Sequence, residues 1–371
     1  MQEFARAAAK AVGRAVPFEG ICMLALDPAT LLPTAEHVEH GLPARATARL
    51  TEIELREPDF NKFTALARRA QPAASLSQAT AGNLDRSLRQ RELRRPGGFG
   101  DELRAALSDA NGTWGALTLL REAGSPRFTL ADTRFLTSVA GNLAEGLRRA
   151  TLLGAAVRED PGDTGLLVIA PDDTIEMTNS AGDRFIDTLP VEHEPGGPLP
   201  AVVRAVAARA RAHATADANG HRPSTDAGTS ADAKAATARV RARTGQWLVA
   251  RASLLGEGPG ARVAVLLEVA RPPELAPLIA AAYGFTDSER RITELIARGH
   301  STNAIAGRLH LSAYTVQDHL KAVFGKTGAS SRGDLVARLF FTHYAPRLTT
   351  AQQDGAAGPT AGSGTAPARA Q

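Results

Sequence analysis

Only two residues, His310 and Leu311, separate an amphipathic segment ending at Leu309 from Ser312, which opens another. This spacing constrains the chain more than any other feature. Ser301 precedes Ile305, Ala306 and Leu309; Ser312 precedes Val316, Leu320, Val323 and Phe324. Each serine can accept from the free N–H groups of a helix start, and each segment keeps its apolar residues at three- and four-residue spacing. So short a link leaves the chain nothing to do but turn sharply. Upstream, FTDSERRITELIARG puts Thr286 three residues before Glu289, a capping box, with Ile292, Leu295 and Ile296 as the buried stripe and Gly299 as the stop. Downstream, Gly328 ends the third helix, and Ser331 with Asp334 opens a fourth that carries Leu335, Val336 and Leu339.

Four short helices with a tight turn between the second and third is the helix-turn-helix plan, in which the third helix enters the DNA major groove. With Val316, Leu320, Val323 and Phe324 inward, its outward face presents Tyr314, Gln317, Asp318 and Lys321. A glutamine can bond bidentately to adenine, and an aspartate can accept from cytosine N4. Lys321 and Lys326 are candidates to neutralise phosphates. Ser301, Asn303, Ser312 and Thr315 stand at helix starts, where hydroxyl, amide and backbone N–H groups can grip phosphate. The competing reading of Ser301 and Ser312 is that they are caps only, and of Gln317 that it is a solvated amide. His319 reads as a turn-fixing residue before it reads as a phosphate contact. Charge agrees with a polyanionic partner: residues 282–347 hold nine Arg and Lys against five Asp and Glu, an excess of +4, while the remainder holds 34 of each sign.

A chain of 371 residues exceeds one ordinary domain, and a hydrophobic share of 43% supplies several cores. One cysteine, Cys22, excludes an intramolecular disulfide framework and points to a reducing cytosol; inside GICMLAL it reads as a small buried hydrophobe. The start, MQEFARAAAKAVGRAV, reads as neither signal peptide nor membrane span, so no membrane partner and a cytoplasmic location are expected.

Residues 1–158 read as mixed α and β. A helix near Gln2–Val12 precedes the strand-like run Gly20–Leu26, and LRAALSDANGTWGALTLL reads as two strands about an Asn111-Gly112 turn. The segment from Phe128 to Val157 then spaces Phe135, Leu136, Val139, Leu143 and Leu147 as a long amphipathic helix, opened by Thr129 or Asp132. Two readings of its stripe stay open: a coiled-coil seam between two copies, or a helix packed on its own sheet. Residues 159–272 form a second α/β block. TGLLVIA and TIEMTN read as a hairpin leading into a helix capped by Asn179 or Ser180, followed by a helix near Pro200–Ala214 and three strand-like runs. The polar stretch at about 214–235 and the tail 349–371 have nothing to bury and read as disordered.

The order of elements in residues 1–158 resembles a GAF domain, and that in 159–272 resembles a PAS domain, with GLLVIAPDDTIEMTNSAGDRF similar to the opening of PAS domains. Phe285–Leu339 resembles the LuxR-type helix-turn-helix more closely. The matching pieces are the Thr286…Glu289-Arg290 start, LIARGHST, IAGRLHLS, TV.DHLKAVF.K.G and SR..LVARL. It departs from that family at Asn303, Ala304, Gln317 and Thr327, and Asp318 sets a negative charge beside the expected DNA face. The implied fold is α+β and multidomain: a GAF-like α/β sensor, a PAS-like α/β sensor and, over 276–346, an all-α four-helix helix-turn-helix domain. The implied function is a non-enzymatic transcriptional regulator whose partners are double-stranded DNA, a second copy of itself and RNA polymerase. Either sensor fold can take a small-molecule ligand or serve only dimerisation, and no cofactor is called for. A reading from another class is a sensory scaffold whose helix-turn-helix contacts protein.

Other signals carry less. In EHVEH (Glu36–His40) the two histidines of a strand would point to opposite faces, against a metal site. Asp172-Asp173 sits in a hairpin turn, which Asp favours anyway. GEGPG (Gly256–Gly260) is followed by no helix, and no Walker loop, nucleophile elbow or dinucleotide fingerprint occurs.

Overall fold

The computed structural model describes residues 1–152, 164–190, 199–218, 236–258 and 260–343. Of the stretches expected to be disordered at about 214–235 and 349–371, residues 214–218 are instead the end of a helix, while 219–235 and 349 onward lie outside the described residues, as does the continuation of the amphipathic segment beyond 152.

The first block opens with α1 (Gln2–Gly13), which buries Ala5, Ala8, Ala9 and Val12, and continues with β1 (Gly20–Leu26) and β2 (Pro33–Glu39). Next come the short helices α2 (Thr47–Arg56), α3 (Phe63–Leu66) and α4 (Leu76–Ala79), with β3 (Ala73–Ser75) between the last two. β4 (Phe99–Asp109), β5 (Gly112–Glu122) and α5 (Leu130–Leu152) complete it. The five strands are antiparallel in the order β2-β1-β5-β4-β3. The expected β4–β5 hairpin is present, but its tip is one residue earlier than the Asn-Gly signal suggests. Asp109 pairs with Gly112, so Ala110-Asn111 makes the turn. The cause is Asp109, whose carboxylate accepts from the Asn111 N–H at 2.7 Å, while Gly112 supplies the positive φ of 138°. Thr129 and Asp132 together form the capping box of α5.

The stripe of α5 is spent inside its own chain. Leu136, Ala140, Ala144 and Leu147 are buried with Leu103, Leu107, Leu117 and Leu119 of the sheet, and Phe135, Val139 and Leu143 are partly buried against the same cluster. The described part of the helix thus packs on its own sheet, and the stretch beyond 152 over which a seam would continue lies outside the described residues.

The second block runs β6 (Thr164–Ile169), β7 (Ile175–Thr178), α6 (Ser180–Thr188), α7 (Ala201–Ala218), β8 (Thr237–Arg241), β9 (Trp247–Leu255) and β10 (Arg262–Val269). Asn179 caps α6. Its sheet order, β7-β6-β10-β9-β8, repeats that of the first sheet strand for strand. α6 and α7 cover one face and build an apolar core from Phe185, Ile186, Val203, Val206, Leu248, Val265 and Leu267. The two blocks touch through buried arginines. Arg239 of β8 grips both carboxylate oxygens of Asp27 at 2.9 and 2.8 Å, and Arg204 of α7 reaches Glu36 at 2.8 Å.

α8 (Pro272–Ala282) follows, then α9 (Asp287–Ala297), α10 (Thr302–Leu309), α11 (Ala313–Thr327) and α12 (Arg332–His343). α8 spans the expected domain start at 276, and its Leu275, Leu278, Ile279 and Ala282 pack with the first block's core. The last four helices enclose a core of their own, made of Ile292, Ile296, Ile305, Val316, Leu320, Val323 and Leu335. Architecturally the chain is α+β: two antiparallel sheets with helices, and an all-α C-terminal module.

Candidate nucleic-acid interface

Local sequence fixes the helices of the module. The Thr286 hydroxyl accepts from the Glu289 N–H and the Glu289 carboxylate accepts from the Thr286 N–H, a closed capping box on α9. Gly299 ends that helix at φ 82°. Ser301 caps α10 by accepting from Ala304 N–H at 3.2 Å, and Ser312 caps α11 by accepting from Thr315 N–H at 3.0 Å. The tight turn is made by His310, which adopts the left-handed region at φ 56°, an unusual demand on a residue with a β-carbon. Leu311 N–H then bonds back to Ala306 O, so the turn is closed by main chain. Gly328, at φ 66°, ends α11, and Ser331 caps α12 by accepting from Asp334 N–H. The Asp334 carboxylate reaches one residue further back than a capping box would, to the Ser330 N–H.

Of the residues singled out in the sequence, Tyr314, Gln317, Asp318 and Lys321 are exposed together on the outer side of α11, opposite buried Val316, Leu320 and Val323. Tyr314 is 71% exposed, the most open large apolar side chain among the described residues. Asp318 is 3.7 Å from Lys321, so its charge on this face is offset by the neighbouring ammonium. Thr315 bonds the Ser312 hydroxyl at 2.8 Å, and Ser301 and Asn303 are exposed at the start of α10.

Lys326 departs from the expectation of a phosphate contact. Its ammonium donates to Gly284 O at 2.7 Å and to the Glu289 carboxylate at 2.6 Å, tying the end of α11 to the start of α9. Burial alone would raise the Glu289 pKa, but the Lys326 ammonium and the Thr286 N–H outweigh it and hold the carboxyl below its usual range.

Sequence reasoning missed the cations that are left. All five acids of the module are paired: Asp287 and Glu294 with Arg290, Glu289 with Lys326, Asp318 with Lys321, and Asp334 with Arg338. Arg332 is held by His300 O and Thr302. Arg291, Arg298 and Arg308 are exposed and have no acid in ion-pair range among the described residues. The positive excess was visible in the count of charges. Which arginines carry it depends on pairing across helices, which a count does not give.

Residues 284–339 match the bacterial regulatory proteins of the luxR family. The C-terminal module is a LuxR-family helix-turn-helix domain. No curated protein matches the chain. Among solved structures, Escherichia coli SdiA is 12% identical, with 92% of this chain and 90% of that one covered and a TM-score of 0.27. A GAF domain/HD domain protein from Geobacter sulfurreducens is 16% identical over 41% of this chain and 94% of its own, at a TM-score of 0.30. The Vibrio cholerae VqmA dimer, described among LuxR-type receptors, is 11% identical over 48% and 81%, at 0.18. Likeness this loose decides nothing about the two sheet blocks.

Elsewhere the sequence signals resolve locally. His37 bonds Glu39 at 2.8 Å, and among the described residues no three His, Cys, Asp or Glu side chains converge as a metal site would require. Asp173 turns at φ 64° and pairs with Arg211, while Asp172 accepts from Thr174. Desolvation by burial pushes the Cys22 thiol up to about 11, which makes it a poor nucleophile at neutral pH. Among the described residues, no helix is long and apolar enough to cross a membrane.

Proposed function

We propose that this protein is a cytoplasmic transcriptional regulator that works as a homodimer. Its LuxR-family module reads double-stranded DNA in the major groove, and the two sheet blocks serve as GAF-like and PAS-like sensors. The observation that carries this is the open face of α11. Gln317, Asp318 and Lys321 stand on it unburied, while pairing of the module's acids leaves Arg291, Arg298 and Arg308 for phosphates. In this reading Ser301, Asn303, Ser312 and Thr315 orient backbone N–H groups toward phosphate at two helix starts, and Tyr314 lies against the backbone or a thymine methyl. Dimerisation follows because one short recognition helix reads too few base pairs, and paired half-sites are the usual remedy. Activation of transcription would add RNA polymerase as a partner. A small-molecule signal would fit the cavity of about 1020 Å³ where the two sheet blocks meet, lined by Trp114, Arg239, Trp247 and Leu278.

The test is a competition titration on operator fragments selected from the protein's own genome and on random duplex, at several salt concentrations. Gln317→Ala should cost about 1–3 kcal/mol on the operator and relax preference at one position only. Lys321→Ala and Arg308→Ala should weaken both DNAs alike and each make the salt slope shallower by about one unit. If Gln317→Ala and Lys321→Ala both leave binding untouched, α11 does not enter the groove. Asp318 on the outer face and the absent lysines at 303 and 317 favour a second reading, a module that binds protein. Affinity for DNA that does not fall with salt would select it.

A further inference from the structure

Apolar side chains left in solvent are not scattered evenly over this molecule. Among the described residues, seven large hydrophobic side chains are exposed: Val38, Leu130, Leu166, Met177, Leu255, Leu266 and Tyr314. Four of these share one surface, the face of the second sheet turned away from α6 and α7. Strand register shows it directly. Leu266 pairs with Leu166 on one side and Arg251 on the other, and Ala264 pairs with Val168, which pairs with Met177. Leu167, Val263, Val265 and Leu267 alternate with these residues and point into the core. Met177 is 61% exposed, Leu255 44%, Leu166 38% and Leu266 36%.

The same face is already half covered. Toward β8, Trp247 and Val249 are buried, Trp247 packs with the first block's core, and Arg239 is clamped on Asp27. Cover ends at Arg251, which reaches Glu274 of α8. Beyond it, from β9 across β10 and β6 to β7, Leu266, Leu166 and Met177 stand open, while Val168 beside them is buried and the Arg262–Glu176 pair spans β6. A soluble chain rarely leaves such a contiguous patch open unless something docks there.

We propose that this half-face is where a second copy of the chain docks, a surface that rests on the reading of the protein as a dimeric DNA reader. Two observations select a copy as the occupant. First, the α5 stripe, the other surface suited to pair copies, is largely taken up by its own sheet, with Leu136 and Leu147 buried and Phe135, Val139 and Leu143 partly so. Second, the patch is flanked at each end by one cation and one anion: Arg251 with Glu268, and Arg262 with Glu176. A two-fold axis through the patch lays one end of a protomer on the opposite end of its partner, so Arg251 meets the Glu176 end and Arg262 meets the Glu268 end. Both signs stand at each end, so no like-charge clash is forced, and the apolar centre meets itself. That is the self-complementarity an isologous interface requires.

Sedimentation velocity of the full chain tests this, with Met177→Lys and Leu266→Glu compared to the unaltered protein. Both sites are exposed, so unchanged far-UV circular dichroism is expected. The unaltered protein should sediment as a dimer, and each variant should weaken dimerisation at least tenfold. A double variant, Arg251→Glu with Glu176→Arg, should dimerise better than either single change. Dimers unaffected by both apolar variants overturn the proposal, as does a monomeric unaltered protein. Titration with a random 20-base-pair duplex separates the two levels: dimers that fail to bind it sink the DNA reading and leave this interface standing.

Discussion

The two five-stranded sheets run in the same order, yet what lies against them differs in kind. Behind the second sheet, α7 lays Val202, Val203 and Val206 on Leu248, Val265 and Leu267, an apolar core throughout. The first sheet has such a core only on its α5 side. On its other side Glu102 and Arg104 of β4, alternating with Leu103 and Ala105, are buried in a charge network. Arg89 donates to the Glu102 carboxylate, lies 3.0 Å from Asp59 and donates to Phe60 O; Arg94 stands 3.4 Å from Glu102. Arg104 bridges Glu54 at 2.9 Å and Asn61 O while stacking over the Phe63 ring at 3.7 Å. Strand order therefore does not dictate core chemistry. One sheet is held by packing that tolerates neighbours of similar volume, the other by partners that must all be present.

The largest expected effect follows from that dependence. Glu102→Ala leaves Arg89 and Arg94 buried without their shared carboxylate and should destabilise the first block by about 3–5 kcal/mol. Replacing Arg89 and Glu102 together by methionine should recover part of that loss, because the Arg89 charge leaves with its partner while Arg94 and Asp59 each lose one contact. In the second sheet Leu267→Ala opens a cavity and should cost about 2–5 kcal/mol, with no partner change that rescues it. Hydrogen exchange followed strand by strand reads both outcomes. If the double methionine variant is as unstable as Glu102→Ala, the two cores do not differ in the way described.

Acid should separate the sheets more gently. Burial alone would raise Glu102, but Arg89, Arg104 and Arg94 overcome it and hold the carboxyl at about 2, against 4.5 for a free one. A carboxylate depressed on folding adds stability that is complete above the unfolded value and is lost as pH falls through the folded one. Protection of β4 and β5 should therefore decline as pH drops from about 4.5 toward 2, and β9 and β10, whose core holds no such group, should lag behind. Glu102→Gln should flatten the decline in β4. An equal loss in both sheets would assign acid sensitivity to surface charge.

How much of this was legible beforehand depended on how far apart the partners are in sequence. The C-terminal helices read correctly because their determinants are three or four residues apart: Thr286 with Glu289, Ser301 with Ala304, Ser312 with Thr315. The β4–β5 hairpin was visible for the same reason, and its shifted tip was not, because Asp109 chose the turn through its side chain. The charge network stayed hidden. Asp59, Arg89 and Glu102 come together from three elements, and the polar start of β4, Gly100 to Glu102, does not look like buried strand. The exit helix had the pattern of a seam, and that Leu136 and Leu147 are taken up by the sheet beneath it was not visible in the pattern. At the candidate interface the face of α11 followed from helical periodicity. The engagement of Lys326 with Glu289, 37 residues away, did not.

The smallest effect expected lies where the second sheet hands over to its helices. Asn179 does two things there. Its Oδ1 accepts from Gly182 N–H at 2.7 Å, capping α6, and from Leu166 N–H at 2.9 Å; its Nδ2 donates to Thr164 O at 2.9 Å. One side chain thus fixes both the helix start and the approach to β6, where the edge strand β7 ends. Asn179→Ala removes all three bonds and should cost about 1–2 kcal/mol, the upper range for loss of a cap. Asn179→Ser keeps an oxygen for the Gly182 N–H but cannot span to Thr164 O, so about half of that loss should return. Gly182 blocks a compensating shift, since a Cβ there would lie 2.4 Å from the Thr178 hydroxyl and 2.9 Å from Leu166 O. The check is exchange at the amides of Leu166 and Gly182 in each variant. If serine restores both amides equally, the cap alone matters and the strand bonds add nothing. If it restores Gly182 and leaves Leu166 fast, the residue acts at both places, and the apolar sheet too relies on one polar side chain at its edge.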